Sequence, residues 1–345
     1  MHSIIVSTVR WSPQVASTLA GLSEFTDPKT RLVISDCSGE PEKVAFIREL
    51  AGRSRNVIAA FRPERVPLYR DVASTIQRRC QQDEFVSIVA DDDVVTHDYI
   101  KHSETVLSAN TDAVCSYGRY VIAQTSGKTF IDSRSVLASS AGQRIEECFD
   151  PNQFNTMFFA TFRRRALQPW AVFTENHPAA GAFFDFIHCL SLMAQVTIIA
   201  HERGHYLWTG ENWDTPDENL RSRARHYRSM GLPEQFASFF DLHFAVECIN
   251  FLGSQAAPPT APRTAQIMQV VWNRCFSRFR TAVDINPNLY TNLLAASATA
   301  RAGLDALLTS PQLTHREIVN HMAAIIAVFS EPVAQRYASF FSAGR

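Results

Sequence analysis

The feature that most constrains this fold is the regular alternation of strand and helix signals across its first 125 residues. Segments 3–8, 31–35, 56–60, 85–90 and 113–123 are short, apolar and rich in β-branched residues, which predicts buried strands. Segments 13–25, 41–51, 68–80 and 96–108 carry helical spacing, as in Val15, Leu19, Leu22 and Phe25, and Pro41 stands where a helix tolerates its missing N–H. A strand followed by a crossover helix and another strand pairs in parallel. Repetition of that unit predicts a doubly wound α/β sheet with ligands at the strands' carboxyl ends.

The pattern then loosens. Residues 124–156 are polar and poorly periodic and read as a loop region, followed by a short strand at 157–161 and helices at 162–172 and 180–194. A last strand is expected at 196–200. From about residue 216 the pattern is helical, over 217–230, 233–252, 264–283, 287–308 and 314–343, with the Pro-rich stretch 253–263 as an exposed connection.

The fourth strand ends in Asp91-Asp92-Asp93. Three adjacent carboxylates repel one another, and no core accepts them unpaired. At a strand's carboxyl end they could bridge a hard divalent cation, Mg²⁺ or Mn²⁺, to a substrate phosphate. The plainer alternative is a solvated turn in which Asp93 or Thr96 caps the next helix.

Composition narrows the class. The 345 residues suggest about two domains, and 46% apolar content with a net charge of −1 excludes a disordered chain or one that coats nucleic acid. Basic residues are almost all Arg; only Lys29, Lys43, Lys101 and Lys128 are lysine. Seven scattered cysteines without paired spacing predict reduced thiols and a cytoplasmic location. No apolar stretch approaches the roughly 20 residues of a membrane span, and no internal repeat is present.

His201-Glu202-Arg203-Gly204-His205 matches H-E-x-x-H, which on a helix places two imidazoles around Zn²⁺ beside a general-base Glu. A zinc peptidase is therefore the rival reading, with Glu211, Asp214, Glu218 and His226 as candidate third ligands. It requires a helix, whereas the preceding Val196-Thr197-Ile198-Ile199 favours a strand.

The order of motifs resembles the GT-A glycosyltransferases, specifically the family-two type. Ser7-Thr8-Val9-Arg10 ends the first strand, Asp36-Cys37-Ser38 the second and the triple Asp the fourth. Phe162-Arg163-Arg164 resembles the start of the acceptor side. Phe183-Phe184-Asp185-Phe186, then Val196–Ile199 and Tyr206-Leu207-Trp208, resemble the catalytic helix and closing strand. The likeness covers about residues 3–213. Thr75 replaces an asparagine common in the family, Phe184 an acidic residue, and Trp208 stands near the place of a basic one.

This resemblance implies a GT-A, mostly parallel sheet with helices on both faces over 1–215, divided into a nucleotide-sugar half (1–125) and an acceptor half (126–215). A helical region (216–345) follows and could mediate homo-oligomers. It implies transfer of a sugar from a nucleoside diphosphate sugar, UDP-sugar favoured, to a hydroxyl of a carbohydrate or glycoconjugate, with Mn²⁺ or Mg²⁺ as cofactor. Donor-binding residues would be Thr8, Arg10, Asp36, Ser38, Arg70, Asp91 and Asp92, with Asp36 on the base or ribose and Arg70 offsetting diphosphate charge. Asp91 and Asp93 would hold the metal, joined by His201 or His205; alternatively both histidines are ordinary loop residues. Asp185, set among Phe183, Phe184 and Phe186, is desolvated and so suited to act as general base, with Glu175 and His177 as substitutes. Trp208 and Trp213 could stack on sugar rings. A sugar-nucleotide-binding protein without transfer activity shares these motifs. A nucleotidyltransferase needs a glycine-rich loop that Val9-Arg10-Trp11-Ser12 lacks.

Overall fold

The computed structural model describes residues 1–62, 66–123, 129–150, 155–180, 183–209, 215–261, 265–309 and 314–343. Trp213, Glu211 and Asp214 lie outside them. Nine strands form one sheet: β1 (His2–Thr8), β2 (Thr30–Asp36), β3 (Val57–Phe61), β4 (Phe85–Ile88), β5 (Val94–Val95), β6 (Ala113–Ala123), β7 (Thr129–Asp132), β8 (Thr161–Arg163) and β9 (Thr197–Thr209). Their order is β3-β2-β1-β4-β8-β6-β9-β5, with β7 on β6. The first four are mutually parallel, in register from His2 on Thr30 to Thr8 on Asp36. That register brings the ends of β1 and β2 to the same edge, beside the turn that follows β4.

Helices α1 (Pro13–Ser23), α2 (Pro41–Arg53), α3 (Leu68–Arg79) and α4 (His97–Ala109) alternate with these strands as the sequence predicts. Every residue of β1 and β4 is buried, as expected of strands covered on both faces. The short β8 runs antiparallel between β4 and β6, while β6 and β9 pair in parallel, so the sheet is mixed in its second half.

The expected loop at 124–156 contains β7 and a helix, α5 (Ala141–Cys148). In place of the strand expected at 157–161 the chain makes a 3₁₀ turn, Thr156–Phe158, and strand β8 starts only at Thr161. Next come α6 (Arg164–Glu175) and α7 (Phe184–Met193). The helical region contains α8 (Pro216–Ser229), α9 (Phe240–Gly253), α10 (Ala265–Ile285), α11 (Pro287–Leu293), α12 (Ala298–Thr309), α13 (His315–Phe329) and α14 (Glu331–Ala343). The expected 314–343 helix breaks at Ser330, which is extended, because Pro332 supplies no N–H and belongs in a first turn. The helix expected at 233–252 begins instead as a 3₁₀ turn, Glu234–Phe239.

Helix α9 is buried on nearly all sides and carries Glu247, which is 0% exposed. His177, from the loop before α7, approaches it to 2.9 Å and His243 to 3.3 Å, while Tyr337 of α14 donates to it. Burial alone would raise the Glu247 pKa, but His177 and His243 outweigh it and hold the carboxyl well below its usual range. Tyr227 of α8 bonds His243 at 3.1 Å, and Phe183, at the start of α7, packs edge-on against that ring at 4.9 Å. The helical region is thus tied directly to the loop before α7 and to its first residues. No helix among the described residues is long and apolar enough to cross a membrane.

Candidate functional site

The carboxyl ends of β1, β2 and β4 converge on one crevice. Thr8 Oγ1 donates to Asp91 Oδ2 at 2.6 Å, and Arg10 pairs with Asp92 and stands 3.9 Å from Asp91. Asp36 Oδ1 accepts from the Ser38 amide (3.0 Å) and hydroxyl (2.8 Å), an Asx turn that shapes the loop. The same oxygen pairs at 2.8 Å with Lys43 Nζ, and both residues are essentially sealed from solvent, at 0% and 1% exposure. Lys43 also donates to Arg10 O at 3.0 Å and Thr8 Oγ1 at 3.3 Å. Burial works to raise the Asp36 pKa; Lys43 and Ser38 overcome it, so the pKa lies below the carboxylate norm. The other oxygen, Asp36 Oδ2, is buried and has no hydrogen-bond partner among the described residues. A buried acceptor left open is costly, and a ligand N–H or O–H would satisfy it.

Asp91 is pushed up to about 6, first by burial and then by Asp92 beside it, with Thr8, Arg10 and Lys43 only partly compensating. Asp93 accepts from Tyr206 Oη at 2.9 Å, and the same phenol accepts from the Ala90 amide at 3.0 Å. This turn presents three adjacent carboxylates, an all-oxygen donor set, so its chemistry fits a hard divalent cation. Among the described residues no group of three or more His, Cys, Asp or Glu is arranged as a complete ligand set. A cation here would complete its sphere with water and substrate phosphate, as Mg²⁺ commonly does.

The histidines do not join this cluster. His201-Glu202-Arg203-Gly204-His205 lies on β9, and Gly204 has φ +71°, outside helical space. Between Tyr117/Ala200 and Arg119/His205 the β6–β9 register shifts, so residues 201–204 bulge from the ladder. A Cβ on Gly204 would meet Tyr99 N at 2.1 Å, so only glycine fits the bulge. The helical geometry of a zinc peptidase is therefore absent. His201 bonds Ser103 through Nε2 (2.8 Å) and accepts the Arg203 amide on Nδ1 (3.3 Å), which occupies both nitrogens. Burial and then His102 bring its pKa down to about 4. His205 is exposed, and strand alternation turns it away from the face on which Tyr206 reaches Asp93.

Asp185 sits in the first turn of α7, 5% exposed. It accepts from the Phe186 amide at 2.9 Å, from Asn155 Nδ2 and from the Tyr69 hydroxyl. Burial pushes its pKa up to about 7 against the pull of those three donors. Tyr120 lies within electrostatic reach of Asp93, Asp92 and Asp185. Tyr120 in turn stacks on Tyr206 at 4.7 Å.

Arg70 is elsewhere. Its Nε donates to Glu175 O at 3.1 Å and its charge faces Arg336, away from Arg10. The substitute base Glu175 is committed to Gln77 and Arg78, and the substitute base His177 to Glu247. Sequence reasoning missed Lys43, Tyr206, Tyr69 and Asn155. It also missed Asp71, fully buried beneath the crevice and held by Ser7, Ser35 and Arg62 at 2.7–2.9 Å. His226, considered only as a zinc ligand, stacks on Tyr69 with centroids 6.1 Å apart.

A mixed sheet with helices around it, followed by a helical C-terminal region, defines a GT-A-like fold. Solved structures agree. Staphylococcus aureus TarS residues 1–349 matches 99% of this chain and 88% of its own, at 13% identity and a TM-score of 0.52. The same protein in complex with UDP matches 98% and 91%, at 15% identity and a TM-score of 0.56. The likeness therefore extends through the helical region, beyond the 3–213 span legible in the sequence. No protein-family model and no curated protein matches the chain.

Proposed function

We propose that this chain is a metal-dependent glycosyltransferase that moves a sugar from a nucleoside diphosphate sugar, UDP-sugar favoured, to a hydroxyl of a carbohydrate or glycoconjugate. The observation that carries this reading is the acidic turn Asp91–Asp93 after β4, beside Asp36, whose buried Oδ2 has no hydrogen-bond partner among the described residues, with the neutral-range Asp185 within electrostatic reach of the same Tyr120. A likeness to TarS, seen elsewhere with UDP, supports the choice of nucleotide. Asp36 Oδ2 would accept from the base or ribose, with Ser38 holding the carboxylate in place. Thr8 orients Asp91, and Tyr206 orients Asp93. A divalent cation held by Asp91 and Asp93 would offset the charge of the donor diphosphate and of the departing nucleotide. Arg10, already paired to Asp92, lies beside that diphosphate and adds positive charge.

Asp185 would take the acceptor hydroxyl proton on its carboxylate as the oxygen attacks the anomeric carbon, the role of a base in an inverting transfer. A pKa of about 7 leaves a useful fraction ionised at neutral pH while keeping appreciable basicity. Tyr69 and Asn155 fix the carboxylate's direction. The test is calorimetry of UDP with and without Mn²⁺, followed by transfer and UDP-sugar hydrolysis assays. Asp91→Ala/Asp93→Ala should abolish Mn²⁺-dependent binding in a folded protein. Equal UDP affinity in EDTA would overturn the metal assignment, and absence of any turnover across donors would leave a binding protein.

A further inference from the structure

A second polar cavity of about 940 Å³ opens at the junction of α3, the loop after α6, the end of α8 and α14. It contains none of Asp36, Asp91–Asp93 or Asp185. Two arginines line it, within electrostatic reach of each other: Arg70 of the first half and Arg336 of the last helix, 266 positions apart in the chain. Burial, and then the Arg336 charge, pull the Arg70 pKa below its usual range. The carboxylate nearest by charge, Glu175, is turned to Gln77 (2.8 Å) and Arg78 (3.3 Å), and offers Arg70 only its backbone carbonyl. Among the described residues neither guanidinium forms an ion pair with a carboxylate. Asn176, Ser229, Gln335 and Ser339 add neutral hydrogen-bonding groups to the same wall.

Like charges are not held together in a concave site without cost unless an anion neutralises them. Guanidiniums present forked, planar donors matched to phosphate oxygens. We propose that this cavity is a second anion-binding site whose ligand carries a phosphate group, held between Arg70 and Arg336. The proposal goes beyond the donor crevice and stands whether or not sugar transfer is the activity.

Calorimetric titration of the full chain with inorganic phosphate tests it, with acetate at equal ionic strength as comparator. Arg336 is exposed, so Arg336→Gln keeps the fold, and an unchanged melting temperature without phosphate checks that. Phosphate affinity should fall roughly 10- to 100-fold in Arg336→Gln, as expected on losing a hydrogen bond to a charged group. It should persist in Arg10→Ala, which removes the cation of the donor crevice. Affinity indifferent to Arg336→Gln, or lost in Arg10→Ala alone, would place phosphate in the crevice and overturn the proposal. Equal binding of acetate would overturn the phosphate assignment. Phosphatidylglycerol vesicles form a third arm: vesicle binding without binding of inorganic phosphate would make the patch a membrane contact, against the proposal.

Discussion

Lys43→Met probes the least expected contact of the crevice. Lys43 and Asp36 form an ion pair at 2.8 Å, with 0% and 1% of their side chains exposed. Truncating one partner of such a pair strands the other charge in a dry site, at a cost of roughly 3–5 kcal/mol. Methionine fills most of the lysine volume, so little of that loss comes from a cavity. For 345 residues the unfolding entropy is about 0.7 kcal/mol per kelvin, so a loss near 4 kcal/mol lowers Tm by about 6 °C. Urea denaturation at pH 7.5, followed by tryptophan fluorescence, measures the loss directly. Adding Asp36→Asn removes the stranded charge, and the double variant should recover about 2 kcal/mol or more relative to Lys43→Met. The pH dependence has a definite sign. The folded pKa of Asp36 lies below its unfolded value, so its contribution is full above the ordinary carboxylate range and fades as pH falls through the folded pKa. The gap between wild type and Lys43→Met should therefore narrow in acid. A loss under about 1 kcal/mol, or strict additivity of the two substitutions, refutes the reasoning.

Asp185→Asn should lower turnover by ~10²–10⁴-fold with donor affinity nearly unchanged, and the wild-type rate should fall as pH drops below about 7. Parallel loss of donor binding would remove Asp185 from proton transfer. Because its folded pKa is raised, ionising Asp185 costs stability as pH rises from the ordinary carboxylate value to about 7. Asp185→Asn should therefore melt progressively higher relative to wild type between pH 5 and 8, and a flat difference would contradict its burial. Tyr206→Phe removes the hydroxyl shared by Asp93 and the Ala90 amide, and should cost about 1–3 kcal/mol in denaturant and weaken Mn²⁺-dependent UDP binding. Gly204→Ala forces a Cβ against the Tyr99 backbone at positive φ and should cost roughly 3 kcal/mol or more, visible as a lower Tm.

What the sequence disclosed was local. The strands to residue 123 except the two-residue β5, the acidic turn and Asp36 were legible because apolar runs and polar strand ends are written in adjacent residues. Lys43 was not, since Glu40, Pro41 and Glu42 before it suggest a solvated first turn of helix. Its burial exists only because β1 and β2 pair in register across 28 positions and α2 packs against β3 and α1, bringing Lys43 to Asp36. The H-E-x-x-H match misled for the converse reason: five adjacent residues imitate a helix motif that a long strand and a positive-φ glycine then override. The Glu247 cluster gathers residues from 177 to 337, and only its His243–Glu247 pair, one turn apart on α9, is local in sequence. Arg70 seemed to belong to the diphosphate because its helix starts near the crevice, yet adjacent positions on a helix point in different directions: Tyr69 goes to Asp185 and Asp71 beneath β1.

The pairing of β5 with β9 has a consequence for how the protein matures. Val94 and Val95, directly after the acidic turn, find their partners only at Leu207 and Tyr206. A chain emerging from the ribosome can assemble β1 to β4 early, since these strands need nothing beyond residue 88 to pair. The Asp93–Tyr206 bond spans 113 positions and must wait until β9 is made. At synthesis speeds of ~5–20 residues per second that wait lasts about 6–23 seconds. During that interval β4 lacks its antiparallel neighbour β8 and presents a bare, apolar edge. Nascent forms stopped between residues 125 and 160 should therefore recruit chaperones and aggregate readily, whereas those extended past β9 should not.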